Sequence, residues 1–438
     1  MRLERVMALL ALVSPAFAQY GGPALLTRGE APSAMSAPEI HFQPFVDVSG
    51  VWDSGLAAVR VTDTGQLADE SSFGMSVAWG VSGSHSWRHT RLGLSYIGSV
   101  DHYFRQTAFD SLNQSLLLGI VHQLNRRMTL SLSASAGMFS RDPGLIGLQQ
   151  TVPFDPTTTY IPRTDFFDNR TIYVTTMAGL TIQKSARLSF GLNGSGFLAR
   201  RRSTALYGTV GAGAGGDVQY RVSRYSTIGA EYTYGHYDYL RLLADTDVHG
   251  VALSYARQFT AHVEFSAFGG AMRAESRFLE SVPLDPAVAQ LLGISSTSLV
   301  GHQIYWGPNF GARLSRAFRT GVAYVNAGRS ITPGNGLFLT STATMVTAGY
   351  GYTGIRRWTF GASVSYSDAK AIGYIQGRYN SLSGSVSCSR RLMRWVHFTA
   401  SYAASEYGSP DYSKYNRVVH SVRVGLGFAP GDVPLRIW

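Results

Sequence analysis

The chain has 438 residues, a formal charge of +11, 15% charged and 45% hydrophobic residues, and a single cysteine, Cys388. One thiol excludes an intrachain disulfide framework, and beyond the N-terminus no apolar run approaches the roughly 18 residues that a transmembrane helix needs. The basic excess is carried by arginine, since Lys184, Lys370 and Lys414 are the lysines; no nucleic-acid-binding motif accompanies it, and that class of partner is set aside.

In chain order, Arg2 and Arg5 open a basic stretch, an apolar run follows from Val6 to Val13, and Ala16-Phe17-Ala18 offers a small-residue cleavage site. Residues 1–18 therefore read as a secretory signal peptide, with cleavage expected before Gln19. Residues 19–39, with their Gly, Pro, Ala and Ser, read as a flexible periplasmic leader. From residue 40 to 438 the texture is uniform, so one domain is expected.

That domain alternates. Leu112, Gln114, Leu116, Leu118, Ile120, His122 and Leu124 share one parity, while Ser111, Asn113, Ser115 and Gly119 share the other. From Met128 to Met138 every even position is apolar, against Thr129, Ser131, Ser133, Ser135 and Gly137. The pattern recurs at 73–81, 92–100, 358–366, 396–402 and 418–428. A period of two over about ten residues is a strand with one apolar face, long enough to cross a bilayer at a tilt. The strands expected are 40–52, 73–82, 91–100, 111–123, 128–139, 170–182, 187–199, 205–220, 225–236, 248–258, 261–273, 303–315, 320–328, 339–352, 358–367, 378–389, 395–404 and 417–428. The segments 208–216 and 320–328 are poorly patterned, which leaves sixteen as the alternative to eighteen strands.

Connections decide the architecture. After even strands they are short and basic, as at Asn125-Arg126-Arg127, 184–187 and Val222-Ser223-Arg224. After odd strands several are long, at 53–72, 140–169 and 274–302. This asymmetry predicts an all-β, up-and-down antiparallel transmembrane β-barrel, with its short turns on the periplasmic side. Backbone groups in hydrocarbon must all be paired, so the sheet has to close. Tyr96, Tyr103, Tyr232, Tyr234, Tyr237, Tyr350, Tyr352, Tyr366, Tyr402 and Tyr407 lie near strand ends, with Trp79, Trp306, Trp358 and Trp395. Amphipathic rings belong at the headgroup level; ordinary cross-strand packing is the competing account. Arginines such as Arg126, Arg127, Arg187, Arg257, Arg316, Arg390 and Arg394 gather at the short turns. They read either as partners of lipid phosphates or as solvated turn charges.

The signal peptide, the alternating strands, the basic turns and the aromatic C-terminus together resemble the bacterial outer-membrane β-barrel proteins, broadly the porin-like group. The resemblance is architectural, covers about residues 40–438 and carries no subfamily motif. It implies outer-membrane lipids and the barrel assembly machinery as partners, and leaves an oligomer open. It also implies an assembly signal in the last strand, matched by Val422, Val424, Leu426 and Phe428. Arg423 stands where a glycine is usual, and ten residues follow Phe428, so Trp438 is the alternative terminal aromatic.

On the inward parity, small residues leave space and a few charges interrupt them: Arg91, Asp217, Glu231, Glu264, Arg313 and Arg423. Such groups set a transverse field that selects solutes, although Glu264 and Arg313 could simply pair with each other. General porins fold a long third loop into the lumen, and 140–169 resembles it; 274–302 could do the same, with a short helix at 286–292. No nucleophile–base–orienter constellation, metal-ligand cluster or phosphate loop is legible, so no enzyme, cofactor or metal is expected. His102, His122, His236, His249 and His420 read as interfacial. The leading function is a passive or weakly selective channel for hydrophilic solutes. An exopolysaccharide export conduit and a structural or adhesive surface protein are the alternatives.

Overall fold

The computed structural model describes residues 41–61, 67–105, 110–140, 170–202, 206–283, 290, 296–334, 339–372, 377–410, 416–430 and 433–434. The expected signal peptide and leader, most of the 140–169 and 286–292 segments, and Trp438 lie outside them. The first strands are β1 (His41–Val61), β2 (Leu67–Ser86), β3 (Thr90–Tyr103), β4 (Ser111–Asn125), β5 (Met128–Phe139) and β6 (Thr171–Gln183). Next come β7 (Leu188–Arg201), β8 (Gly208–Ser223), β9 (Ser226–Leu240), β10 (Ala244–Thr260), β11 (Val263–Pro283) and β12 (Ser296–Phe318). The circuit is completed by β13 (Gly321–Thr332), β14 (Ser341–Tyr352), β15 (Trp358–Ala371), β16 (Arg378–Arg391), β17 (Val396–Gly408) and β18 (Arg417–Phe428).

Each strand pairs antiparallel with the next, and β18 returns to β1 in continuous register from Val46↔Phe428 to Ser54↔His420. The sheet is thus a closed barrel of eighteen antiparallel strands. A two-residue strand, β19 (Val433–Pro434), adds a pairing to the foot of β1 at His41 and Phe42. Closure leaves no row of unpaired N–H and C=O groups. An even count brings both ends of the circuit to the end that carries the short turns.

The weakly patterned segments 208–216 and 320–328 both become strands, as β8 and β13. In β8 the inward positions Gly211, Gly213 and Gly215 lie beside larger inward side chains on β7. A Cβ at Gly215 would stand 2.5 Å from Asn193 Oδ1, and one at Gly211 only 2.1 Å from Phe197. The glycines that blur the sequence pattern are therefore the space into which neighbouring side chains lie flat.

Two of the three expected long loops are mostly strand. β1 and β2 run to Val61 and from Leu67, and β11 pairs with β12 without a break from Val263↔Arg316 to Pro283↔Ser296. Backbone pairing does not require an apolar face. The β11–β12 hairpin continues past the apolar band with Arg273, Glu275, Arg277 and His302 on its outward face, and its alternation in hydrophobicity fades although the ladder does not.

Candidate functional site

Side chains of one parity are exposed and apolar: Val46 and Val48 on β1, Leu116 and Leu118 on β4, Val364 on β15, Val424 and Leu426 on β18. That face is the outside, and its alternate lines the lumen. The lumenal wall is built of small polar groups. Ser363 and Ser365 on β15 meet Ser385 and Ser383 on β16 through hydroxyl contacts of 2.8 and 2.9 Å.

The six charged positions of the sequence reading all fall on the inward parity. Arg91, Glu264 and Arg313 are exposed there. Glu264 lies opposite Ser315, and Arg313 opposite Ser266. The two charges are therefore diagonal, and among the described residues they form no ion pair with each other. Asp217 faces Glu231 directly across β8 and β9. Its carboxylate lies over β7, where a Cβ at Gly191 would come within 2.1 Å of Oδ1.

Arg423 is engaged in a network that crosses the β18–β1 seam. Its Nη1 lies 3.4 Å from Asp101 Oδ1 on β3 and donates to Ser76 Oγ on β2 at 3.3 Å. Ser111 Oγ donates to the other Asp101 oxygen at 2.8 Å. Beside them the Tyr103 hydroxyl donates to Asp53, which is fully buried. Sequence reasoning did not single out Asp53 or Asp101; their shared parity with Arg423 was the available signal.

A second feature narrows the loop end. Thr340, just before β14, contacts the Tyr239 hydroxyl on β9 at 2.7 Å and Thr246 Oγ1 on β10 at 2.6 Å, the latter bonded onward to Ser276 of β11 at 2.9 Å. β10 and β14 are four places apart in the sheet. Below, Ile331 of β13 and Ile372 after β15 pack on Met272 and Ala274 of β11. The tops of β13–β15 thus lean against the wall made by β9–β11. The constriction drawn from the third loop has a counterpart here, made by connections that the sequence did not mark. Thr340→Val removes two of these contacts, and is expected to cost about 1–3 kcal/mol. The expected readout is faster amide exchange over 339–342; unchanged exchange would mean that the bridge holds nothing.

Aromatic rings rim the outer face at both ends. At the short-turn end Trp358 stacks on Phe360 with centroids 5.6 Å apart, and Trp395 meets Phe428 edge-on at 6.3 Å. Towards the loops Trp52 lies 6.4 Å from Phe73, and Trp306 is 68% exposed. Three tyrosines expected in these rims point inward instead. Tyr103 bonds Asp53, Tyr237 sits 5.8 Å from Phe197, and Tyr407 stacks on Tyr379 at 6.4 Å. Their parity matches the serines, which the count of residues near strand ends ignored.

A closed, even-stranded barrel with an apolar outer belt between aromatic rims, short turns below and long hairpins above, has one solvent that fits it. The fold is that of the bacterial outer-membrane β-barrels. Among the described residues no helix is long and apolar enough to cross a membrane. No family model matches the barrel, and no curated protein does. Solved structures similar to it are bacterial outer-membrane β-barrel proteins. The ferric-catecholate import receptor Fiu of E. coli K12 shares 8% identity, with TM-score 0.44 over 91% of this chain and 82% of that one. OccK5 of Pseudomonas aeruginosa shares 10%, with TM-score 0.40 over 90% and 99%. OccAB4 of Acinetobacter baumannii shares 11%, with TM-score 0.42 over 89% and 98%.

Above the belt, the outer face of β9–β12 carries a charged group. His236, Asp245 and Asp247 bring ligand atoms within 4.8 Å of one another. Arg277 already bridges the two carboxylates at 2.5 and 3.1 Å, and His236 Nδ1 lies 2.8 Å from Asp247. Together with Arg277 the three residues form an ion-pair network. His420 also faces out, 2.9 Å from the Tyr402 hydroxyl.

Proposed function

We propose that this chain is exported, is cleaved before Gln19 and forms an outer-membrane channel for small hydrophilic solutes. The observation that carries the reading is the lumenal wall. It is lined by serine, threonine, asparagine and glycine, and exposed Arg91, Glu264 and Arg313 project from it. An eighteen-stranded barrel with such a lining holds water unless a segment fills it. The inward lean of the β13–β15 tops narrows one mouth, which favours small solutes over polymers.

In planar bilayers the purified barrel is expected to give stepwise, ohmic currents. Glu264→Gln is expected to shift the permeability ratio towards anions, and Arg313→Gln towards cations. Silence both with the full chain and after removal of 141–169 would defeat the channel reading. Current only after that removal would identify a plugged lumen. The last strand supports recognition by the assembly machinery: Val422, Val424, Leu426 and Phe428 share its outward face, and Phe428 closes the strand against Val46 and Val396.

A further inference from the structure

The short turns of this barrel are chemically uniform. The segments 87–89, 126–127, 184–187, 224–225, 261–262, 319–320, 353–357 and 392–395 contain arginine or lysine in all but one case, and no aspartate or glutamate. The opposite end is mixed. Among the described residues the carboxylates on the outward face include Asp110, Asp238, Asp245, Asp247, Glu275, Asp368 and Glu406, all at the loop ends of their strands. Several are matched there by cations, as in Arg277 with Asp245 and Arg378 with Asp368.

The turn-end arginines divide by face. Arg221 and Arg391, on the inward parity, donate to turn carbonyls: Arg221 Nη2 to Arg224 O at 3.4 Å, Arg391 Nη2 to Arg394 O at 3.1 Å. Four others lie over outward aromatic rings. Arg257 is 5.2 Å from the Phe259 centroid, Arg316 4.8 Å from Phe318, Arg390 5.2 Å from Trp358 and Arg394 5.9 Å from Trp395. A guanidinium held over a ring by cation–π attraction still has N–H groups to offer, and such a fork can bind a phosphate bidentately. The rings beneath mark the apolar boundary, so these donors stand at headgroup depth.

We propose that this rim is a docking surface for anionic phospholipid headgroups of the adjoining leaflet, with Arg257, Arg316, Arg390 and Arg394 as the phosphate-binding side chains. The proposal rests on the membrane reading of the barrel. Solvated turn charges would also gain from cation–π attraction to the rings, so the salt-sensitive preference for an anionic lipid is what separates the two readings.

The test places the full chain in nanodiscs of phosphatidylcholine with a minority of phosphatidylglycerol, and measures barrel-restricted spin-labelled lipid of each type by electron spin resonance. The parent is expected to prefer phosphatidylglycerol, by about five-fold per engaged arginine at low salt, with the preference falling as salt rises. The variant R257Q/R316Q/R390Q/R394Q is expected to lose it, and R221Q to keep it. If the quadruple variant does not fold, the pair R257Q/R316Q and the salt series on the parent decide instead. Equal restriction of both lipids by the parent, or a preference that survives the substitutions or high salt, overturns the proposal. Absence of any restricted lipid would instead refute the membrane reading beneath it.

Discussion

Arg423→Ala is expected to destabilise the barrel by about 3–5 kcal/mol, the range found when one partner of a buried ion pair is removed. Asp101 is only 2% exposed and Asp53 is fully buried, and Arg423 Nη1 lies 3.4 Å from Asp101 Oδ1. Without the guanidinium, Asp101 keeps Ser111 as a donor but has no countercharge from β18. The affected groups sit on β18, β1, β2 and β3, so the loss falls on the seam that closes the sheet. The urea midpoint of the reconstituted barrel measures the effect. R423A/D101N is expected to recover most of the loss, because removing both charges also removes the desolvation penalty. An unchanged midpoint for Arg423→Ala would show that the pair is solvated and incidental.

Val386→Arg and Ser387→Arg should part company although they are chain neighbours. Val386 is 53% exposed on the outer face, opposite Ala362 and Tyr402 and midway between the rims. An arginine there enters hydrocarbon and is expected to cost about 2–4 kcal/mol. Ser387 is exposed on the lumenal parity, and an arginine there is expected to change stability by less than about 0.5 kcal/mol. It should instead alter the current through the channel. Equal, small stability effects at the two positions would remove the argument that the outer belt faces lipid.

The fold was largely legible in the sequence because its physical basis is local. Period-two alternation places Leu116 and Leu118 outside with Asn113 and Ser115 inside, whatever the neighbouring strands are. The basic two-residue turn Arg126-Arg127 fixes a hairpin by itself. Strand lengths were less legible: the hairpin of β11 and β12 continues beyond the apolar belt, where pairing persists and hydrophobic alternation does not. The lumenal positions could be named from parity alone, but not their partners. Whether Arg423 faces solute or a carboxylate depends on β3, more than 300 residues away in sequence.

By itself, then, the sequence determined the alternation, the hairpin order, the closed barrel that unpaired backbone in lipid demands, and the concentration of arginine at the short turns. Only the tertiary structure decided which arginines lie over lipid-facing rings, which tyrosines turn inward, and that Thr340 reaches the wall of β9 and β10. These are contacts between strands distant in the chain. They follow from the barrel's register and from the lean of its loop ends, and neither is encoded in any single strand.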